Sequence, residues 1–360
     1  MSELSRWRIR LPSLVYPFDF VMSQVERLFD PSLVFDSPIT VVLVGLVASL
    51  IVLGLVVPGI LLRFGRIDAS LRDEVVLRCQ SWVVLAILIG VPVLAGAAWT
   101  IFGLFALAVL CYAEFARTTG LFREYRVSAA VLVSITLVFF AVFDHWYGLY
   151  AAAIALGPPV IAATAITADR PTGYLQRVAL AVFAFLFIGV GLSHLAYFAN
   201  DGDYRPILLT LFVAVQLNDV FAFVCGKGFG KRKLLPTTSP GKTWAGAIGA
   251  VVLTTALVYV IGGVYLPDGF SRYAMHLLGL GVLVSVSGQL GDLMLSSVKR
   301  DVGIKDLGST IPGHGGLLDR FDSLLLAGPA VFHYIAYFRG VGENQLPHVI
   351  TGPWLGLPGT

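Results

Sequence analysis

Long unbroken runs of apolar side chains, separated by short polar links, set the pattern of this chain from residue 39 onward. A helix needs about 20 apolar residues to cross a hydrocarbon core of about 30 Å. Irregular backbone cannot face lipid, so each such run must be helical. Ten runs are read: Ile39–Leu62, Trp82–Ala98, Ile101–Ala116, Val127–Phe143, Tyr147–Thr167, Val178–Phe198, Pro206–Cys225, Trp244–Val264, Ala274–Leu295 and Phe321–Phe338. The second and third nearly fuse. The pattern predicts an all-α, polytopic integral membrane protein with about ten transmembrane helices. It divides into an N-terminal region (1–38), N-terminal transmembrane helices (39–198), a second transmembrane region with large polar links (199–340) and a tail (341–360). The first apolar run follows a mixed-charge stretch without a small-residue cleavage pattern, so no removable signal peptide is read.

Composition agrees. The chain is 57% hydrophobic and 13% charged, against about 25% charged in soluble domains. Its three cysteines, Cys79, Cys111 and Cys225, form no CxxC pair and suggest neither a zinc framework nor a disulfide framework.

Charge distribution says more than the net charge of +3, because the Lys and Arg bias between links sets orientation. The odd-numbered links carry 18 Lys and Arg residues and the internal even-numbered links two. The odd links are therefore expected to face the cytoplasm. Arg6, Arg8, Arg10 and Arg27 conflict with this, since ten spans would put them outside; an extra membrane-embedded segment within Leu11–Met22, or a miscounted early span, would remove the conflict.

Two odd links are large, Gly226–Thr243 and the one after the ninth run. Each follows a run with a carboxylate inside it, Asp219 and Asp292 respectively. A carboxylate at the centre of a span costs roughly 2.5–3.5 kcal/mol on insertion scales, so such residues are functional candidates by default. The bland reading is that both snorkel from helix ends. Spacing argues otherwise: Gln289, Asp292, Ser296 and Lys299 share one helical face, as do Asp319 and Asp322 at the start of the tenth run. Carboxylates from different helices, with no neighbouring cysteine, suit a hard oxygen-liking ion such as Mg²⁺, with room for a second cation. Phosphoryl or nucleotidyl transfer needs such ions together with cations for the remaining phosphate charge and close backbone amides. Lys242, Lys299, Arg300, Lys305 and Arg320 could supply the cations, and Gly313, Gly315 and Gly316 the close approach. The bland alternative, basic residues that only bind anionic head groups, leaves the acidic residues unexplained.

Other motifs carry less. Gly241-Lys242-Thr243 ends like a P-loop, but Pro236 stands where the first glycine belongs and no strand is expected before it. Gly226–Gly230 lacks the third glycine of a dinucleotide fingerprint. His145, His194, His276, His333 and His348 are isolated and read as packing or interfacial residues; His314 differs only by its company.

That company is a signature. The run Ser296-x-Val298-Lys299-Arg300-x4-Lys305-Asp306-x-Gly308-x2-Ile311-Pro312-x-His314-Gly315-Gly316-Leu317-x-Asp319-Arg320-Phe321-Asp322 resembles that of the phosphatidate cytidylyltransferases, matching it at every fixed position. Gly226-Lys227-x2-Gly230-Lys231 after Asp219, Thr238-Ser239-Pro240-x-Lys242-Thr243 and Gly291-Asp292-Leu293 are similar to the family too. The strong resemblance covers about Gln216–Ser323; Arg72–Glu114 is only loosely similar. It implies an enzyme of the bacterial inner membrane, with a cytoplasmic site, that joins CTP to phosphatidate and releases pyrophosphate with Mg²⁺. The implied metal ligands are Asp292 and Asp319, with Asp219 and Asp322 as partners. The implied phosphate-handling residues are Lys242, Lys299, Arg300 and Lys305, with Ser239 and Ser296 as hydrogen-bond donors; Asp306, His314 and Arg320 belong to the same motif. Two positions depart from the family pattern: Ala245 and Leu295 stand where Glu is common.

The expected partners are CTP, a membrane lipid phosphate and the bilayer, not nucleic acid. Helical membrane enzymes often dimerise, and no pattern here tests whether this one does. Two alternatives remain: transfer to another lipid phosphate such as an isoprenoid ether, and, in a different class, a transporter built on broken helices with intramembrane carboxylates. A CDP-alcohol phosphotransferase is disfavoured because Asp201-Gly202-Asp203 does not extend into that pattern.

Overall fold

The structure is a computed structural model that describes residues 28, 29, 31, 34, 38–66, 68–201, 204–265, 270–308, 315–339 and 349–351. Among them are ten long helices: α1 (Pro38–Arg63), α2 (Ala69–Ala95), α3 (Ala97–Thr119), α4 (Tyr125–Phe143), α5 (Tyr147–Ile166), α6 (Tyr174–Phe198), α7 (Tyr204–Phe229), α8 (Trp244–Tyr265), α9 (Phe270–Asp301) and α10 (Leu318–Arg339). The chain is a polytopic, helical membrane protein. The N-terminal region, including Leu11–Met22, and most of the tail lie outside the described residues.

Nine of these helices are long and apolar enough to span a membrane. The tenth, α2, corresponds to the expected run Trp82–Ala98. It begins 13 residues earlier, in a stretch holding Arg72, Asp73, Glu74 and Arg78, and is continuously apolar from Trp82 to Ala95. The near-fusion of α2 and α3 is broken at Gly96. Its φ of +146° is open to glycine but strained for other residues, and a methyl group there would stand 2.7 Å from the Leu28 carbonyl oxygen. The Thr100 hydroxyl donates to the Gly96 and Pro92 carbonyls, tying the two helices together across the break.

One departure from the all-helical expectation lies in the link after α7. Gly226–Phe229 form the last turn of α7, and the chain then makes a hairpin of β1 (Lys233–Leu235) and β2 (Ser239–Thr243), antiparallel, with Lys233 opposite Thr243 and Leu235 opposite Ser239. A strand therefore does precede α8, contrary to the sequence expectation. Gly241-Lys242-Thr243 is nonetheless no P-loop, because it is part of the strand rather than a loop after it.

The deepest helix is α6, in which 67% of the spanning window is buried. A π-turn at Phe185–Val190 interrupts it just before it meets α10. There Gly191 faces the backbone of α10, with the Leu325 carbonyl oxygen 2.6 Å from where a methyl group would stand. Small residues allow such close helix approaches in membranes, where lipid supplies no hydrophobic drive for association. Around this contact the second half of the chain packs as a sequential bundle, α7 on α8, α8 on α9 and α9 on α10.

The isolated histidines fall where packing would put them. His194 is buried among Tyr150, Phe332 and His333, His145 lies beside Tyr197, and His276 sits between Tyr334 and Phe338. His348 lies outside the described residues.

Candidate active site

The polar stripe of α9 is a single surface in the structure. Gln289 donates to the Ala247 carbonyl and to the Ser285 hydroxyl, which in turn donates to Asn218. The Thr254 hydroxyl also donates to Asn218 Oδ1, at 3.0 Å. This buried seam joins α7, α8 and α9 below the carboxylates and fixes their rotation, since hydrogen-bonded polar groups inside a span specify one arrangement.

Above the seam, Gly291 brings α9 against α10: a methyl group there would lie 2.6 Å from the Asp322 carbonyl oxygen. The next residue, Asp292, is thereby set beside Asp322. Asp292 also forms an ion pair with Lys242 and accepts from the Ser296 hydroxyl at 3.2 Å. Asp219 of α7 faces Asp292, Lys242 and Arg320. Three helices thus deliver carboxylates to one place. Asp219 lies ten residues before the end of α7 and Asp292 nine before the end of α9, so the cluster sits roughly 15 Å along each helix from those ends.

Lys242 reaches the cluster because the hairpin folds back over it. Thr243 caps α8 by accepting from the Gly246 amide at 3.1 Å, as an N-cap residue does. The guanidinium of Arg300 donates to the carbonyls of Thr238 and Ile304, tying the hairpin to the C-terminal end of α9. Ser239 is half-buried in β2, while Lys305 and Asp306 are exposed on the following link. Gly313 and His314 lie outside the described residues.

Asp319 has a different set of neighbours from Asp292. Its Oδ1 is 2.9 Å from Lys299 Nζ, and its Oδ2 accepts from the amides of Leu307 and Gly316 at 2.9 Å each. It is 4% exposed. In this arrangement Asp319 braces the link between α9 and α10. Gly315 turns through φ +79° directly over it, where a side chain would crowd its Oδ2. Lys299, also close enough to Asp292 to act on it, joins the brace to the carboxylate cluster.

A second brace was not anticipated from the sequence. Glu114 of α3 is 8% exposed, and its two oxygens accept from the amides of Leu317 and Leu318 at 3.0 and 2.8 Å. It satisfies two donors at the start of α10 that no intrahelical acceptor can reach and puts a negative charge where the helix dipole favours one. Gly308 and Gly316 lie against it, with room for a methyl group at neither. Nearby, Thr118 donates to the Leu307 carbonyl at 2.7 Å. The signal was present in the sequence: Glu114 is a carboxylate within the apolar run Ile101–Ala116, the same property that singled out Asp219 and Asp292.

The donor set fits a hard divalent ion. Mg²⁺ is usually bound through one or two carboxylates plus substrate phosphates rather than by an all-protein cage. Asp292 and Asp322, neighbours across α9 and α10, are such a pair, with Asp219 facing them. Among the described residues no three His, Cys, Asp or Glu groups are placed to hold a metal ion by themselves, so a two-carboxylate site would need a ligand's oxygens to complete it. The two departures from the family pattern are accommodated locally: Leu295 is fully buried and Ala245 lies in the first turn of α8.

Comparison with known proteins gives a consistent picture. The sequence profile of the cytidylyltransferase family matches residues 76–338. An Escherichia coli (strain K12) protein named only as the uncharacterized protein YnbB is 30% identical over 279 residues, 76% of this chain and 91% of that protein. A Staphylococcus aureus (strain COL) protein named phosphatidate cytidylyltransferase is 35% identical over 176 residues, 49% of this chain and 65% of its own length. A Rickettsia bellii (strain RML369-C) protein of the same name is 34% identical over 154 residues, 42% of this chain and 67% of its own length.

Proposed function

The chain belongs to the cytidylyltransferase family, and from that premise we propose that it transfers the cytidylyl group of CTP to phosphatidate, giving CDP-diacylglycerol and pyrophosphate at the cytoplasmic surface of the membrane. The observation that carries this reading is the convergence of Asp219, Asp292 and Asp322 from three helices, with Lys242 against Asp219 and Asp292 and Lys299 near Asp292 and Asp322. Relatives bearing the name of this activity support the substrate pair.

A phosphate oxygen of the lipid attacks the α-phosphorus of CTP, a new O–P bond forms, and the bond to the bridging oxygen of the β-phosphate breaks. The nucleophile is already anionic, so no strong general base is required. The barrier is repulsion between phosphates, and Mg²⁺ held by Asp292 and Asp322 would supply the neutralising charge. Lys242 and Lys299, each fixed by a carboxylate, place ammonium groups where phosphate oxygens gather and need little reorganisation as charge shifts to the leaving group. Arg300 and Lys305, on the solvent side, are placed to attract the triphosphate and release pyrophosphate. Asp319 and Glu114 hold the link rigid, which preserves alignment of the reacting atoms. A site facing water yet set below the helix ends suits a reaction between a soluble nucleotide and a bilayer lipid.

The test uses purified protein in detergent with phosphatidate, Mg²⁺ and CTP labelled at its α-phosphate. Label should pass into the organic-soluble lipid, with one pyrophosphate released per labelled lipid and no transfer when EDTA is present. Label that stays water-soluble under all conditions would overturn the assignment.

A further inference from the structure

Beside the carboxylate cluster lies a cleft of about 470 Å³ enclosed by α1, α2 and α7, with Leu324 of α10 at its edge. Its lining is apolar except for Gln216. On α7 the lining residues Leu209, Phe212, Val213, Gln216 and Leu217 recur at the spacing of one helical stripe, and Asp219 stands three residues past Gln216 on that side. Along α7 the cleft therefore runs from beside Asp219 into the apolar depth of the bundle. Its volume falls in the range of about 300–1,000 Å³ that accommodates small ligands.

We propose that this cleft is an acyl-chain subsite, holding one fatty chain of the lipid whose phosphate reaches the carboxylate cluster. The proposal rests on the reaction assigned above and adds where the substrate's apolar part is held. Three features favour a tethered chain over a protein partner. The walls carry almost no hydrogen-bonding groups, the one polar residue sits at the end nearest the site, and the cleft continues the stripe that leads to Asp219. An amphiphile with an anionic head and an apolar tail matches that order.

Gly90 provides a clean probe. It lines the cleft, and a methyl group added there would meet nothing within 4 Å, so Gly90→Phe fills the space without a clash at its own Cβ. With dioleoyl and dihexanoyl phosphatidate compared in mixed micelles, Gly90→Phe should raise the long-chain to short-chain KM ratio at least tenfold, with KM for CTP within twofold. A ratio that does not move would overturn the subsite. An independent arm reads binding without turnover, using unaltered protein and lipids that carry a diazirine at one chain end. Phosphatidate should cross-link to the peptides spanning 83–94 and 209–217 in preference to phosphatidylcholine of the same chains. Equal labelling by both would mean that bulk bilayer lipid fills the cleft, and labelling elsewhere would mean that the chain lies elsewhere; either overturns the proposal. If unaltered protein transfers label to neither phosphatidate, the assigned reaction fails, and the cross-linking arm still decides the cleft.

Discussion

Asp292→Asn is expected to lower the transfer of cytidylyl label from CTP to lipid by at least about 10²-fold, the scale on which single preorganised electrostatic groups act. Asn keeps the size of the side chain and the contact with Ser296 but removes the charge that pairs with Lys242 and the carboxylate that stands against Asp322. Asp292 is half-buried rather than locked in the core, so the variant should elute as the unaltered protein does in detergent and melt within a few degrees of it. A rate assay with saturating CTP and phosphatidate across a Mg²⁺ titration is the measurement. Full activity at every Mg²⁺ concentration would remove Asp292 from the chemistry.

Glu114→Ala is expected to reduce kcat by about 10²-fold although Glu114 touches no reacting atom. Its loss leaves the amides of Leu317 and Leu318 without acceptors, at about 1–3 kcal/mol for each buried group left unpaired. The cost falls on the junction that positions Asp319 and Asp322. A displacement of about 1 Å at that junction is enough for such a rate loss. Glu114→Gln retains one carbonyl oxygen but sets an amide donor against a backbone donor, so it should recover part of the rate. The positioning role predicts that KM for CTP changes less than kcat, and that trypsin cuts faster after the exposed Lys305. A variant that melts earlier but keeps its rate below the melting range would show that Glu114 is only structural.

Much of this arrangement could be read from the sequence, for identifiable reasons. Helices that must cross lipid are forced to carry long apolar runs, so the spans were visible, and a three- and four-residue spacing of Gln289, Asp292, Ser296 and Lys299 can only be one face of a helix. What depended on contacts between distant segments was not visible. The hairpin β1–β2 is short and polar, with Pro236 and Gly241 in or beside it, and no alternating pattern marks it as strand. The last turn of α7 beyond Cys225 and the last residues of α9 beyond Leu295 carry Lys227, Lys299, Arg300 and Asp301, so hydropathy alone ends those helices early. The split between Asp319, which braces the link, and Asp322, which meets Asp292, depends on the rotation of α10 against α9. Gly291 and Gly191 set that rotation through backbone approach, which leaves no periodic trace. Glu114 was overlooked because its partners, the amides of Leu317 and Leu318, lie more than 200 residues away.

The central claim, that carboxylates from separate spans hold one divalent cation, is tested most directly by Mn²⁺ binding to the purified protein in detergent, followed by electron paramagnetic resonance as a stand-in for Mg²⁺. Saturable binding that sharpens when CTP is added, and that disappears in Asp292→Asn and in Asp322→Asn, is the result expected here. Equal Mn²⁺ binding by both variants and the unaltered protein would contradict it.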